Sequence, residues 1–298
     1  MEKKYELTDE ILEVGGHVLR RIKALRDFGD VRKGDIGGWI ECEDNLSHDD
    51  DCWVYDNAKI YADAEVCGEA RVYGKAEVCG EARVCGEAEV CGEAEVCGEA
   101  EVCGEARVCG EARVCGEAEV YGKAEVCGEA RVCGEAEVCG EARVCGEARV
   151  CGEARVYGKA EVCGEARVCG EARVCGEARV CGETEVCGEA RVCGEAEVCG
   201  EAEVCGEAEV CGEAEVCGEA EVCGEAVIKS QSDYIVFKNW WSSGRYFTWT
   251  RSNDMWSVGC FYGTGEELIK KAYNDSDESG REYERIVKYV ESIKQEFK

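Results

Sequence analysis

Apolar and polar residues alternate along most of the chain, and a glycine interrupts the alternation once in every six residues. Residues 58–225 contain 28 consecutive hexads, all but the first with this glycine, and AEVCGE at residues 64–69 is typical. In an extended segment, Ala at position 1 and Val at position 3 point to one side. Glu or Arg at position 2 and Cys or Tyr at position 4 point to the other. Because unpaired charges are costly in a dry core, we predict that the Ala/Val side is the interior.

Glycine at position 5 gives the backbone freedom for a turn, and the charged residue at position 6 is solvated. Each hexad is therefore a short strand followed by a corner. One hexad cannot bury its apolar side alone, but stacked coils can, so the repeat predicts a β-solenoid. We divide the chain into an N-terminal cap (residues 1–57), the solenoid (58–226) and a small C-terminal α+β domain (227–298).

The repeat places a small residue four positions after each aliphatic one, as in Val66 to Ala70 and Val72 to Ala76. This pattern resembles the hexapeptide-repeat, left-handed β-helix proteins of the trimeric acyltransferase type. The hexad at residues 70–75 (ARVYGK) and the segment around Trp39 look closer still to phage and bacterial hexapeptide proteins of unassigned role. The resemblance implies a mainly β fold, a left-handed parallel β-helix, with three hexads per coil.

Coil size is open to a second interpretation. Tyr73, Tyr121 and Tyr157 are separated by 48 and 36 residues, both multiples of 12, which suits a two-sided coil. An 18-residue coil instead stacks opposite charges in one alternating ladder, a favourable pattern, formed by Arg71, Glu89, Arg107, Glu125, Arg143, Glu161, Arg179 and Glu197. The ladder favours 18 residues and a rod of roughly 45 Å, against roughly 67 Å for 12-residue coils.

The flanking regions are predicted to differ from each other. Before the repeats, residues 5–7 and 18–22 are expected to pair as strands across a turn at residues 15–16. Trp39, Ile40 and Trp53 would then close the first coil. After the repeats, residues 234–237, 246–250 and 255–261 are strand-like. A capping box at Thr264 and Glu267 starts a helix, and a second helix is expected from about Gly280.

Composition and charge narrow the possible partners. The net charge is −31, so binding to nucleic acid or to an anionic membrane is not expected. No stretch approaches the roughly 20 apolar residues of a membrane span, and the start lacks the apolar region of a signal peptide. We therefore expect a cytoplasmic protein whose thiols stay mostly reduced.

Histidine content bears on catalysis. The acyltransferase resemblance implies a histidine base, but the two histidines, His17 and His48, both precede the repeats. The chain thus lacks the residue that would deprotonate an acceptor. We expect a non-enzymatic rod without a cofactor, which spaces or presents a C-terminal domain that binds an unidentified protein or ligand. A thiol ladder that binds soft metal ions or acts in redox chemistry is the alternative, and an acyltransferase is the third hypothesis.

Cysteine fills 24 of the 27 position-4 sites from Cys67 to Cys223. In-register stacking predicts exposed thiol ladders with rungs about 4.8 Å apart. Parallel side chains would hold the Cβ atoms farther apart than the roughly 3.8 Å of a disulfide, whereas a soft ion with two bonds of about 2.3 Å spans one rung. Packing alone would also suit this small apolar residue. The candidate metal ligands are Cys67, Cys85, Cys103, Cys139, Cys175, Cys193 and Cys211.

A second candidate site lies in the C-terminal domain. Trp, Tyr and Arg are common at binding interfaces, so an aromatic and basic group is a candidate ligand surface, consisting of Trp240, Trp241, Arg245 and Trp249. The competing interpretation is that most of these rings form the core of so small a domain. Trp240 and Trp241 are adjacent and cannot both face inward on one strand, so one of them is predicted to be exposed.

Overall fold

The computed structural model describes residues 3–294 as a parallel β-helix with an antiparallel cap before it and a small α+β domain after it. The cap contains β1 (Tyr5–Val14), β2 (His17–Ala24), β3 (Ile36–Ile40) and a 3-10 turn (Glu43–Asn45). The coils contain β4 to β33, each two residues long. The C-terminal domain contains a 3-10 turn (Gln231–Asp233), β34 (Tyr234–Lys238), β35 (Tyr246–Thr250), β36 (Met255–Val258), β37 (Phe261–Gly263), α1 (Gly265–Asp275) and α2 (Asp277–Lys294).

The coil strands form three parallel faces, and each strand pairs with the strands 18 residues before and after it. Face 1 consists of Trp53–Val54, Arg71–Val72, Glu89–Val90, Arg107–Val108, Glu125–Val126, Arg143–Val144, Glu161–Val162, Arg179–Val180, Glu197–Val198 and Glu215–Val216. Face 2 consists of Lys59–Ile60, Glu77–Val78, Glu95–Val96, Arg113–Val114, Arg131–Val132, Arg149–Val150, Arg167–Val168, Glu185–Val186, Glu203–Val204 and Glu221–Val222. Face 3 consists of Glu65–Val66, Arg83–Val84, Glu101–Val102, Glu119–Val120, Glu137–Val138, Arg155–Val156, Arg173–Val174, Arg191–Val192, Glu209–Val210 and Val227–Ile228.

This pairing confirms the 18-residue coil and excludes the 12-residue one. The predicted alternating ladder is face 1, where Glu89 pairs with Arg71 on one side and Arg107 on the other. Ion pairs follow the register: the Arg107 guanidinium lies 3.3 Å from Glu89, and that of Arg143 lies 3.2 Å from Glu125. These pairs are solvent-exposed, so each contributes at most about 1 kcal/mol.

The interior is formed by positions 1 and 3, as predicted. The valines from Val66 to Val222 are 0 % exposed, and the position-1 alanines are at most 1 % exposed. Neighbouring coils are joined by backbone hydrogen bonds, such as Cys91 N–H to Val108 O at 2.9 Å. Polar backbone groups are therefore paired between coils while the apolar side chains fill the centre.

Glycine is favoured at the corners for two reasons, although Ala62 occupies the corner of the first hexad with φ +59°. Gly134 has φ +76°, and a Cβ there would lie 3.1 Å from both the N and the O of Gly152 on the next coil. The left-handed backbone conformation disfavours any side chain, and the spacing of the coils leaves no room for one. The period-six glycine is thus a stacking residue as well as a turn residue.

The N-terminal cap pairs as predicted. Strand β1 is antiparallel to β2, with Tyr5 opposite Ala24 and Val14 opposite His17 across the glycine turn. Strand β3 then joins β2 to face 2, because Ile40 pairs with Ile60 in parallel. The side chains of Ile40 and Trp53 are buried in the first coil. Trp39 is half-buried instead, and the Arg21 guanidinium stacks 4.5 Å from its ring.

The C-terminal domain is a four-stranded antiparallel sheet covered by two helices. The predicted third strand, residues 255–261, is wrong in extent: Gly259, with φ +57°, turns the chain, so that a fourth strand follows from Phe261. The capping box is confirmed, since Thr264 N–H donates to Glu267 at 2.9 Å and the Thr264 hydroxyl accepts from Glu267 N–H at 3.3 Å. Helix α2 begins at Asp277, slightly before the expected residue.

The C-terminal domain sits directly on the final coil. The Thr248 hydroxyl accepts a hydrogen bond from Glu221 N–H at 2.8 Å, and the Ser257 hydroxyl donates to the Glu221 carboxylate at 3.2 Å. The Ser252 hydroxyl accepts from Val227 N–H at 2.7 Å. The bonds from the Glu221 and Val227 N–H groups satisfy backbone donors that the end of a solenoid would otherwise leave open. Coil strands extend from Trp53–Val54 to Val227–Ile228, slightly beyond the hexads at both ends.

Candidate functional site

The position-4 residues form three columns along the rod. Because successive members are 18 residues apart, the columns follow from the strand register. Column 1 consists of Tyr55, Tyr73, Cys91, Cys109, Cys127, Cys145, Cys163, Cys181, Cys199 and Cys217. Column 2 consists of Tyr61, Cys79, Cys97, Cys115, Cys133, Cys151, Cys169, Cys187, Cys205 and Cys223. Column 3 consists of Cys67, Cys85, Cys103, Tyr121, Cys139, Tyr157, Cys175, Cys193 and Cys211.

The seven candidate metal ligands named from sequence all lie in column 3. Tyr121 and Tyr157 interrupt that column and isolate Cys139 between two phenols. Columns 1 and 2 contain longer unbroken runs of cysteine. Counting in steps of 18 from Cys79 or Cys91 would have found them in the sequence.

The ladder thiols are half-buried. The predicted exposure of the ladder thiols is therefore only partial, although these thiols do lie outside the Ala/Val core. Stacking at about 4.8 Å lets each side chain cover part of the next. Nearby position-2 side chains add to the cover, as where the Cys193 thiol lies 3.8 Å from a Glu209 carboxylate oxygen.

Cys205 and Cys223 form a disulfide between adjacent coils of column 2, with their Cα atoms 4.6 Å apart. The prediction that rung spacing disfavours disulfides is wrong at this pair. The Cα separation lies inside the range that disulfides tolerate, and side-chain rotation supplies the remaining approach. The other ladder cysteines are free thiols.

Burial makes most of these thiols poor acids. It raises the pKa of Cys163 and of Cys169 to about 11, and neighbouring thiols of the same column add to the rise. Cys79 differs, because a hydrogen bond from Cys97 lowers its pKa to about 7. A thiolate is the form that binds metals and attacks disulfides, so Cys79, the first cysteine of column 2, ionises more readily than an ordinary thiol.

Within residues 3–294, four groups bring two cysteine sulfurs and a carboxylate together, with all three ligand atoms within 4.8 Å of one another. In each group, the two cysteines are column neighbours and the glutamate is the position-2 residue two places before one of them. The groups are Cys109, Glu125 and Cys127; Cys193, Glu209 and Cys211; Cys199, Glu215 and Cys217; and Glu203, Cys205 and Cys223. Two predicted ligands, Cys193 and Cys211, belong to one of them.

The aromatic candidates of the C-terminal domain divide between core and surface. Trp249 is 2 % exposed and donates its indole N–H to Asp254 at 2.8 Å, so it lies in the core. Trp241 is half-buried, with its ring edge-on to Tyr283 at 5.0 Å. Trp240 is 74 % exposed, and Arg245 is exposed on the same loop. One of the adjacent tryptophans is thus exposed, as expected.

Both histidines belong to the cap. The His17 imidazole pairs with the Glu41 carboxylate at 2.9 Å. The His48 ring stacks on Tyr5, with the ring centres 4.3 Å apart. The His17 ring also lies 5.1 Å from the ring of Tyr61 in the first hexad, so His17 borders the first coil although neither histidine is part of a hexad.

The three-sided coils, the Ala/Val interior and the glycine corners define a hexapeptide-repeat parallel β-helix protein. No protein-family model matches the chain. A 43-residue segment is 46 % identical to an uncharacterized acetyltransferase, YdcK, of Escherichia coli strain K12. That segment is 14 % of this chain and spans only 13 % of the relative's length, so the likeness agrees with the repeat fold and extends no further. Within residues 3–294, neither helix combines the length and apolar character of a membrane span.

Proposed function

We propose that the protein is a non-enzymatic rod that spaces and presents its C-terminal domain. The observation that carries this proposal is the regularity of the coils. From Glu65–Val66 to Glu221–Val222, every strand begins six residues after the previous one, so no loop leaves the rod. Ten strands per face give a rod of about 43 Å. A stiff, uninterrupted stack of this kind suits a spacer better than a catalyst, which needs convergent groups in a cleft.

The positions of the histidines support the same proposal. In the acyltransferases that the repeat resembles, the base is expected beside a coil and near a loop that interrupts it. Here His48 stacks on Tyr5 of the cap, whereas His17 pairs with Glu41 of the cap and its ring also lies 5.1 Å from Tyr61 of the first hexad, where no loop interrupts the coil. A histidine held by a carboxylate can act as a base on any fold, so His17 is the residue through which an acyl-transfer activity would have to be tested.

The presented surface is the loop between β34 and β35. Gly244 N–H bonds Asn239 O at 2.7 Å and Asn239 N–H bonds Arg245 O at 2.8 Å, so the loop is closed on itself. Trp240 projects from it into solvent. An exposed tryptophan beside an arginine is the composition of a binding hot spot, and a protein partner or ligand of the C-terminal domain would meet it there.

An acyl-transfer assay tests the absence of catalysis. Purified full-length protein is incubated with acetyl-CoA and a panel of amine and hydroxyl acceptors, with free CoA release as the readout and the His17→Ala variant as the control. We expect the same background rate for both proteins. Acetyl transfer by the wild type that is lost in His17→Ala would overturn the proposal and make the protein an enzyme.

The second candidate is a thiol-column protein that binds soft metals or exchanges disulfides. The four Cys–Glu–Cys groups and the Cys205–Cys223 disulfide favour it. Metal analysis of protein purified under reducing conditions tests whether the cysteine columns bind metal ions. Metal retained at many cysteines along the rod would support this candidate, and metal-free protein that fails to take up Cd²⁺ would dismiss it.

A further inference from the structure

One Cys–Glu–Cys group lies where the last coil meets the C-terminal domain. It consists of Cys199 and Cys217, neighbours in column 1, and Glu215 of the last face 1 strand. The Cys217 thiol donates to Glu215 Oε1 at 3.5 Å, while Gln231 of the C-terminal domain donates its amide to Glu215 Oε2 at 2.5 Å. The two carboxylate oxygens are thus divided between the Cys217 thiol and the Gln231 amide.

We propose that Cys199, Glu215 and Cys217 form a binding site for a thiophilic divalent cation of the Zn²⁺ and Cd²⁺ class. Zinc–sulfur bonds of about 2.3 Å at a tetrahedral angle place two sulfurs about 3.8 Å apart. The three ligand atoms already lie within 4.8 Å, so side-chain rotation alone brings them into range. Each thiol releases its proton to solvent on binding, and three protein ligands leave a fourth position for water.

Charge distinguishes this group from the one in the middle of the rod. Glu125, between Cys109 and Cys127, accepts from the Arg143 guanidinium at 3.2 Å, so a cation there must displace or face an arginine. Glu215 instead pairs across the coils with Glu197. Position 2 is glutamate in every hexad after Arg191. The field at the junction is therefore negative, which favours a cation.

The other two groups are less suited. Glu209 pairs across the coils with Arg191, which again places a positive charge beside the site. The thiols of Cys205 and Cys223 are joined to each other and cannot bind a metal until they are reduced. The junction group, which consists of Cys199, Glu215 and Cys217, is the one that combines free thiols, an acidic neighbour and a residue of the C-terminal domain that orients its carboxylate.

The C-terminal domain positions this group. Gln231 holds the Glu215 side chain, and the Tyr234 hydroxyl donates to Glu215 O at 3.1 Å. Partners that orient a ligand carboxylate commonly contribute about 10–100-fold to metal affinity. The site thus depends on contact between rod and domain, and a bound cation would in turn stabilise that contact.

The test uses full-length, reduced, metal-free protein titrated with Zn²⁺ in competition with a chromophoric chelator. The variants are C199S/C217S and the matched mid-rod pair C109S/C127S. We expect the junction variant to lose one tightly bound equivalent relative to wild type and the mid-rod variant to lose none. Equal losses from both variants, or no tightly bound equivalent in the wild type, would overturn the proposal. Equal losses would instead indicate binding along the whole column.

Two further measurements separate binding from folding. Without metal, circular dichroism should show the same melting for both double variants, because serine replaces a half-buried thiol outside the core. Gln231→Ala should weaken Zn²⁺ binding about 10-fold or more, whereas Ser232→Ala, one residue along the same turn, should not. Unchanged affinity in Gln231→Ala would show that the carboxylate is not oriented as proposed.

Discussion

Alanine substitution at two corner glycines separates the two reasons for glycine in the repeat. Gly176 and Gly218 have almost the same backbone conformation, with φ +75° and +74°. A Cβ at Gly176 would lie 2.7 Å from Gly194 O on the next coil, whereas a Cβ at Gly218, on the last coil, meets nothing within 4 Å. Both alanines suffer the strained conformation, and only the first also collides with a neighbouring coil.

The expected magnitudes follow from these contacts. Alanine in the left-handed region costs about 1–2 kcal/mol, partly offset by the stiffer unfolded chain. Gly218→Ala should thus lower the free energy of unfolding by about 1 kcal/mol. At Gly176 the added methyl meets an oxygen that already accepts Glu177 N–H at 2.7 Å, and relieving such overpacking costs about 1–3 kcal/mol more. The total at Gly176 is about 2–4 kcal/mol.

Urea denaturation followed by circular dichroism measures both variants. Because position along a solenoid also affects stability, asparagine provides a control at each site. Asparagine tolerates the left-handed region better than alanine does, so it should recover stability at Gly218. At Gly176 the collision persists and asparagine should recover little. Equal recovery at both sites, or equal losses for the two alanines, would refute the stacking argument.

Three other predictions concern the rod. Position 6 is glutamate in every face 2 hexad from Glu81 to Glu225, and neighbouring carboxylates about 4.8 Å apart repel by roughly 0.9 kcal/mol in bulk water before screening. Raising the salt concentration should therefore raise the melting temperature of the protein. An unchanged melting temperature would contradict this stacking of charges. Burial raises the folded-state pKa of Cys163 and Cys169 to about 11, above the ordinary thiol value. Because the thiols of the unfolded chain ionise first as the pH rises, the free energy of unfolding should fall between about pH 9 and 11. A free energy of unfolding that does not change over this range would refute the prediction. Thr184 is 0 % exposed, and its hydroxyl has no hydrogen-bond partner within the described residues. Thr184→Val should therefore raise the free energy of unfolding by about 1 kcal/mol, whereas Thr184→Ser should not. A lower free energy of unfolding in Thr184→Val would show that the hydroxyl is hydrogen-bonded.

The repeat could be interpreted from sequence because every hexad carries the same local information. Parity placed Val66 inside and Cys67 outside, and burial agrees for the valines. The coil size was implied by the hexapeptide resemblance and favoured by the charge ladder of face 1, where an 18-residue step alternates Arg71 with Glu89. Each inference relied on features repeated many times, so no single residue had to decide it.

Features that occur once were not predictable in this way. The fourth strand of the C-terminal domain depends on Gly259 turning the chain. The seating of that domain on the last coil depends on hydroxyl contacts such as Ser257 to Glu221, 36 residues apart. The orientation of Glu215 by Gln231 also crosses from one domain to the other. Such contacts join residues whose types are common, and no spacing rule selects them.

A chain of nearly identical hexads can differ in function along its length only through what surrounds each unit. Cys127 and Cys217 occupy the same position of the repeat and the same column. The first lies beside Glu125, which is paired with an arginine, and the second beside Glu215, which faces another glutamate and an amide. The thiol is the same in both places, but its electrostatic surroundings differ. Function in this rod is therefore to be sought where the repeat changes its charge pattern or meets another fold. The charge pattern changes after Arg191, and the last coil within that acidic stretch meets the C-terminal domain.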